Sequence, residues 1–274
     1  MTESSQQSND AIDRFAPTRR PQGRPVMRQK WRHLLFLHWR VDAEQLRPLI
    51  PAELEIDTFD GRAYIGLVPF TMLDVHPVWT PSVPRLSDFH ETNVRTYVHY
   101  HGTAPGVWFF SLDAANSIAV RIARAMWKLP YHFAKMRLVV SEPRHTDTDA
   151  AGAASLPATQ NRRISYATER LWPQPLPADC SVEYSTTGTP GPSPPGTLEH
   201  FLAERYILYT KADRGLLSGQ VHHAPYPLQT AAIHALGENM VAAAGIEHGP
   251  ETPLAHYAHG VDVDIYPLRA TQAG

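Results

Sequence analysis

The sequence predicts an α+β fold built mainly of antiparallel β-strands, with a few short helices. Three observations carry this reading. Runs of β-branched, aromatic and aliphatic residues recur along the chain between turn signals. Strands do not alternate with long helices as a doubly wound parallel sheet requires. The chain holds 25 prolines, grouped in stretches such as "TPGPSPPGT" at 189–197, which argues against an all-helical fold. A barrel or a pair of packed sheets would satisfy this pattern.

In chain order, "WRHLLFLHWRV" (31–41) is a buried first strand. "DAEQLRPLIP" is a short helix with Asp42 and Gln45 in a capping-box pattern, ended by Pro51. "LEIDTFDGRAYIGLVPFTML" is a hairpin turning at Asp60-Gly61, and its second strand covers 62–73. A proline-rich loop (77–84) leads to "HETNVRTYVHYH" (90–101), whose hairpin partner is "GVWFFSLDA" (106–114). "NSIAVRIARAMWK" (116–128) is the best helix, with Ile118, Ile122, Ala125 and Met126 near one face, and Pro130 stops it. "YHFAKMRLVVS" (131–141) is a strand, residues 142–161 a mobile hairpin loop, and "RISYATER" and "CSVEYST" weaker strands. "TLEHFLAER" is a short helix, and "YILYTKADRGLLSGQVHH" a hairpin turning at 213–215. "LGENMVAAAGI" is helical up to Gly245, and "GVDVDIYPL" is a final strand.

Size and composition bound the function. The 274 residues are 43 % hydrophobic and 19 % charged, enough for one sizeable core. A net charge of -2 gives no electrostatic case for nucleic acid or an anionic membrane surface. No apolar run reaches the ~20 residues of a membrane helix. Cys180 is the single cysteine, so there is neither an intrachain disulfide nor a cysteine zinc site, which fits a cytoplasmic protein. Arg19-Arg20 resembles an export pair, but no hydrophobic segment follows it. Residues 1–27 are expected to be a flexible tail, and residues 28–274 one domain.

"HETNVRTYVHYH" raises the functional question. Glu91, Asn93, Arg95, Tyr97, His99 and His101 alternate with Thr92, Val94, Thr96, Val98 and Tyr100. The β-branched face must meet a core. The polar face is either wet or the lining of a pocket, and alternation alone leaves both open. In a pocket, Arg95 would take a carboxylate, Asn93 a carbonyl or hydroxyl, and Glu91 would move protons.

"FLHW", "FDGRAYIGLVPF", "ETNVRTYV", "GVWFFSLDA", "ARAMWKLPYHFAKM", "HFLAERY" and "HHAPYPLQ" follow one another along the chain. Together they resemble the YqjF-like family of uncharacterised bacterial proteins, within the acetoacetate decarboxylase-like superfamily. The resemblance covers roughly residues 28–268. It implies a closed or partly closed β-barrel with a central cavity, and a homo-oligomer. The decarboxylases of the superfamily use a Schiff-base lysine that follows a proline after a helix, with a second lysine directly after it. "WKLPYH" resembles that segment, and alignment on Pro130 puts Tyr131 and His132 where the two lysines would stand. Neither forms an imine. The resemblance also implies a pocket glutamate at the start of a strand like "ETNVRTYV", which is Glu91, and this tips the open choice toward a pocket.

The expectation is therefore a small-molecule enzyme acting on a small carboxylate or carbonyl compound without a Schiff-base lysine. Enolisation, hydration and imine-free decarboxylation all suit it. The alternative is a non-catalytic ligand-binding protein on the same fold. Glu91, Tyr131 and His132 are the candidate catalytic groups. Asn93, Arg95, Tyr97, His38 and Lys135 are the candidate binding groups, with Lys135 sharing the strand parity of Tyr131. His99, His101 and the His222-His223 pair lack any accompanying metal motif, so no metal and no cofactor are expected. Ser111 and Asp113 lack the GxSxG elbow that would recruit them to a triad.

Overall fold

Strands of unusual length organise the molecule, because few glycines or prolines interrupt the β-rich runs before their turns. The computed structural model describes residues 12–84, 86–141, 162–213 and 215–271. The strands are β1 (Met27–Val41), β2 (Glu55–Ile56), β3 (Ala63–Pro77), β4 (Phe89–Tyr100), β5 (Thr103–Ala114), β6 (Tyr131–Val140) and β7 (Arg163–Trp172). After them come β8 (Asp179–Gly191), β9 (Ile207–Ala212), β10 (Gly215–His222), β11 (Leu228–Glu238), β12 (Leu254–Ile265) and β13 (Arg269–Ala270). The α-helices are α1 (Ala43–Leu46), α2 (Ser117–Trp127), α3 (Leu198–Ala203) and α4 (Met240–Ala243).

These strands form one mainly antiparallel sheet that partly closes on itself. Its order is β13-β10-β9-β5-β6-β7-β8-β11-β12-β1-β3-β4-β2, with further pairings β4–β5 and β10–β12. The β4–β5 pairing closes a large ring through β6, β7, β8, β11, β12, β1 and β3. The β10–β12 pairing closes a smaller ring through β5, β9, β10, β12, β1, β3 and β4. The junction is β5, which pairs antiparallel with β4 and parallel with both β6 and β9.

Where β1, β3 and β4 are shared by the two rings they are buried on both faces. Leu35, Leu37 and Trp39 of β1 pack with Val94 and Val98 of β4 and Tyr184 of β8 in one core. Leu34 and Phe36 pack with Phe70 and Met72 of β3 and Val263 of β12 in a second core. β4 therefore presents its even residues to the first core, while the odd residues face the second. β1 and β3 change parity at residues with left-handed backbone, His33 (φ 53°) and Asp74 (φ 56°). Gly260 lies opposite Arg32, beside the first of these irregularities. Its φ is 153°, and a Cβ there would come within 2.4 Å of the Trp31 carbonyl oxygen, so only glycine fits.

Several elements differ from the sequence expectation. Asp42 occupies the N-cap of α1 but makes no side-chain cap bond. Asp60-Gly61 does form a tight turn, bridged by Phe59 and Arg62, yet β2 pairs with β4 rather than with β3. The apolar face of α2 is not its buried face: Ile118 is 55 %, Ile122 51 % and Met126 70 % exposed. β11 is an additional strand, disguised by its alanines and glycine, and β12 begins six residues before "GVDVDIYPL". The loop expected over 142–161 lies outside the described residues. Within the expected tail, residues 12–26 are anchored to the sheet at several points. Arg14 pairs with buried Asp57, Pro17 is buried, and the Val26 amide donates to the Ile265 carbonyl. Composition does not betray such anchors, because each depends on a partner far along the chain.

Candidate active site

The odd face of β4 opens on a cavity of about 340 Å³ in the smaller ring. Glu91, Asn93 and Arg95 line it from β4 and Tyr131 from the start of β6. All three β4 residues are nearly inaccessible, at 3, 5 and 8 %. Proximity of β4 to Tyr131 follows from the parallel β5–β6 pairing, in which Leu112 lies opposite Tyr131 while Glu91 lies opposite Ala114.

The Tyr131 hydroxyl donates to Glu91 Oε2 at 3.0 Å. On the other side of the strand, the Tyr166 hydroxyl donates to the Glu91 carbonyl oxygen at 3.1 Å. Burial raises the Glu91 carboxyl to a pKa of about 8, opposed by the Tyr131 hydrogen bond and reinforced by the Asp113 charge. Near neutral pH the carboxyl is therefore mostly protonated. The same burial, together with Glu91, keeps the Tyr131 phenol well above its ordinary value, so it acts as a donor.

Arg95 is the cation of the site. One Nη donates to the Leu202 carbonyl of α3 at 3.3 Å, and the guanidinium lies 5.6 Å from the Phe36 ring centroid and 5.9 Å from that of Tyr97. Among the described residues no carboxylate pairs with it. Its Nε and the Asn93 Oδ1 are buried without a protein hydrogen-bond partner. Orphaned polar groups in a protein interior are rare, and two of them on one cavity wall call for a ligand. The arrangement can hold an anion at Arg95, orient a carbonyl or hydroxyl at Asn93, and exchange a proton at Glu91.

The other expected site residues stand elsewhere. Tyr97 and His38 lie behind the cavity: the Tyr97 hydroxyl donates to the Leu202 carbonyl at 2.8 Å, so His38 Nε2 donates to that hydroxyl at 2.6 Å. Burial holds His38 neutral, far below its ordinary pKa, and it packs on Gly66. Both brace α3, and with it the carbonyl that Arg95 uses. His132 points away from Tyr131, as adjacent residues on a strand must, and its Nδ1 donates to the Pro173 carbonyl at 3.0 Å. Lys135 shares Tyr131's parity but is exposed, because the cavity ends before it. Lys30, Lys128 and Lys211 do not line the cavity either. His99 and His101 do not share a face, because β4 ends at Tyr100. Asp113 is locked by Arg170 through bonds of 2.7 and 2.8 Å and is closed to a triad.

Sequence reasoning missed the apolar wall: Trp31, Phe70, Met72, Trp127 and Tyr226 all line the cavity. Phe70, Trp127 and Tyr226 lie in "FDGRAYIGLVPF", "ARAMWKLPYHFAKM" and "HHAPYPLQ", but which way each points is set by bulges and tertiary packing.

The DUF2071 family profile, described as an uncharacterized conserved protein, matches residues 28–262. The chain belongs to this family. It is 35 % identical over 269 residues to the uncharacterized protein YqjF of Bacillus subtilis strain 168, covering 98 % of this chain and 99 % of YqjF. Among solved structures, an acetoacetate decarboxylase-like enzyme from Sphingomonas wittichii RW1 matches this DUF2071 chain with a TM-score of 0.59 at 11 % identity, covering 91 % of this chain and 94 % of that one. The acetoacetate decarboxylase of Legionella pneumophila matches at 0.58 and 12 % identity over 93 % and 92 % of the two chains. The enduracididine biosynthesis enzyme MppR complexed with pyruvate matches at 0.57 and 14 % identity over 90 % of each. At these identities the likeness establishes an acetoacetate decarboxylase-like fold.

Proposed function

We propose that this DUF2071 protein is an enzyme that moves a proton on a carboxylic acid carrying a nearby carbonyl, without a covalent imine. The observation that carries the reading is the single wall of Glu91, Asn93 and Arg95, in which a protonated carboxyl and a carboxylate-free guanidinium share the inner end of one cavity. Arg95 anchors the substrate carboxylate, and Asn93 presents its amide to a carbonyl or hydroxyl oxygen. Glu91, held by Tyr131, gives its proton to the carbonyl oxygen while solvent water takes the α-carbon proton and the C–H electron pair becomes the enol double bond. As the enol collapses, water returns a proton to that carbon and Glu91 takes back its own. Likeness to an acetoacetate decarboxylase and to an enzyme solved in complex with pyruvate supports an oxo acid as the class. Schiff-base chemistry is set aside because no lysine lines the cavity.

The test is deuterium exchange and turnover of a panel of 2-oxo and 3-oxo acids, followed by NMR in D₂O. Glu91→Gln is expected to lower exchange by roughly 10²–10⁴-fold, as loss of a general acid–base does. Arg95→Gln is expected to weaken binding instead. Borohydride is expected to trap no adduct, and an adduct would overturn the imine-free step. Binding without turnover, unchanged by Glu91→Gln, would sink the enzyme reading in favour of a ligand-binding protein on the same fold.

A further inference from the structure

Beyond its polar wall the cavity is mainly apolar, and it is too long for a compact oxo acid. Its β3 lining starts at Val68, opposite Asn93, and continues past Met72 to Pro77. That is roughly 30 Å of strand at ~3.3 Å per residue. Gln29, His76, Thr80 and Ser87 line the outer end, but each is hydrogen-bonded within the protein. Throughout this length the unpartnered polar groups therefore stay at the β4 end. Facing them across the sheet are Phe70, opposite Glu91, and Met72, opposite Phe89. Farther out, Met27 and Val75 continue the floor while α2 supplies Ala119 and Ala123 from above.

The outer end is an apolar mouth. Val83 and Ile122 line the cavity and are each 51 % exposed, and Leu86 lines it at 37 %. Residues that belong both to the lining and to the surface mark where the cavity meets solvent. That mouth lies between α2 and residues 77–84 and 86–87. The Asn116 side chain holds the two together by donating to the Leu86 carbonyl at 2.9 Å. The face of α2 that a sequence reading assigns to a core is thus in part this mouth. Isolated exposed aliphatics are ordinary, but aliphatics continuous with an apolar channel have a use.

Resting on the reading of Glu91, Asn93 and Arg95 as the head-group site, we infer that the ligand is an amphipathic carboxylic acid. Its head lies on β4 and its apolar tail runs along β3 and β1 beneath α2 toward the mouth. The small alanines at 119 and 123 leave the width a tail needs, and Met27 and Met72 are flexible enough to adapt to it.

The experiment is calorimetric titration of the full chain with saturated straight-chain carboxylates of four to twelve carbons, which carry no reactive carbonyl. Each methylene buried should tighten Kd about fourfold until the channel is filled. Ala123→Trp, which blocks the channel from a half-exposed helix position, should abolish the gain and leave the shortest ligand's affinity unchanged. Ile122→Asp, at the mouth, is a second variant with the same expectation and no buried volume to disturb. A Kd that is flat or rising with chain length overturns the inference, as does a gain that survives both variants. Turnover of a short oxo acid measured alongside separates the two readings. Turnover with a flat series removes only the tail, whereas a Kd that falls with chain length without turnover keeps the tail and removes the enzyme.

Discussion

At the scale of single residues, Glu91 concentrates the consequences. Its carboxyl titrates near 4.5 in the unfolded chain and near 8 when folded. Between those values the folded state holds a proton that the unfolded state has lost. Stability therefore falls as pH rises from about 4.5 to about 8, by roughly 1.4 kcal/mol per unit for this one group, and levels beyond. Glu91→Gln should flatten that part of the profile, measured by urea denaturation at stepped pH. The same ionisation places a negative charge in the cavity, so binding of a carboxylate should weaken above pH about 8 in the parent and not in Glu91→Gln. Period-2 alternation made Glu91, Asn93 and Arg95 legible as one face, and resemblance to the decarboxylases singled out Glu91. Tyr131 was reached through Pro130. His38, Tyr97 and Lys135 lie off the cavity because parity names a face but not where along that face a cavity stops, and His132 lies off it because its place came from alignment on Pro130 while alternation turns it away from Tyr131.

At the scale of elements, α2 does two jobs that its sequence reveals only in part. Its N-cap was legible: the Asn116 side chain accepts from the Ile118 and Ala119 amides at 3.1 and 3.0 Å. Its amphipathic stripe was legible too, but not the direction in which the stripe faces, since periodicity cannot distinguish a core from a mouth. The parity changes of β1 and β3 at His33 and Asp74 were invisible for a related reason. A bulge leaves no gap in a hydrophobic run. Because Asn116 serves both the helix and Leu86, Asn116→Ala should cost more than a cap alone. About 1 kcal/mol is expected for the cap, with a further cost for the Leu86 carbonyl left without its donor. Asn116→Asp keeps the cap acceptor and loses the donor to Leu86. It should recover most of the stability in thermal melts, while the mouth segment remains more susceptible to proteolysis than in the parent.

At the scale of the whole molecule, two rings sharing strands leave little freedom at their junction, and buried charge is used there. The junction strand β5 carries Asp113, wholly inaccessible, which pairs with Arg170 of β7 across β6. Arg170 also donates to the Pro175 carbonyl, so one guanidinium ties three segments. A second buried pair, Asp57 with Arg205, ties the chain before β3 to the end of α3, and Arg14 adds the N-terminal segment to it. The mainly antiparallel class was legible from turn spacing and proline placement, and the closed ring from resemblance. The double closure was not, because it depends on pairings of β5 with β9 and of β10 with β12, which join strands far apart in the chain. Breaking a buried pair leaves one charge stranded, at a cost of about 3–5 kcal/mol. Arg170→Met should therefore destabilise the protein by that order and push the Glu91 carboxyl higher still, since the stranded Asp113 charge raises it. In Arg170→Met with Asp113→Leu no charge is stranded, so most of the stability should return and the Glu91 titration should move below its parent value. Following the pH at which carboxylate binding weakens would read that movement directly. An unmoved midpoint in both variants would separate the junction from the site.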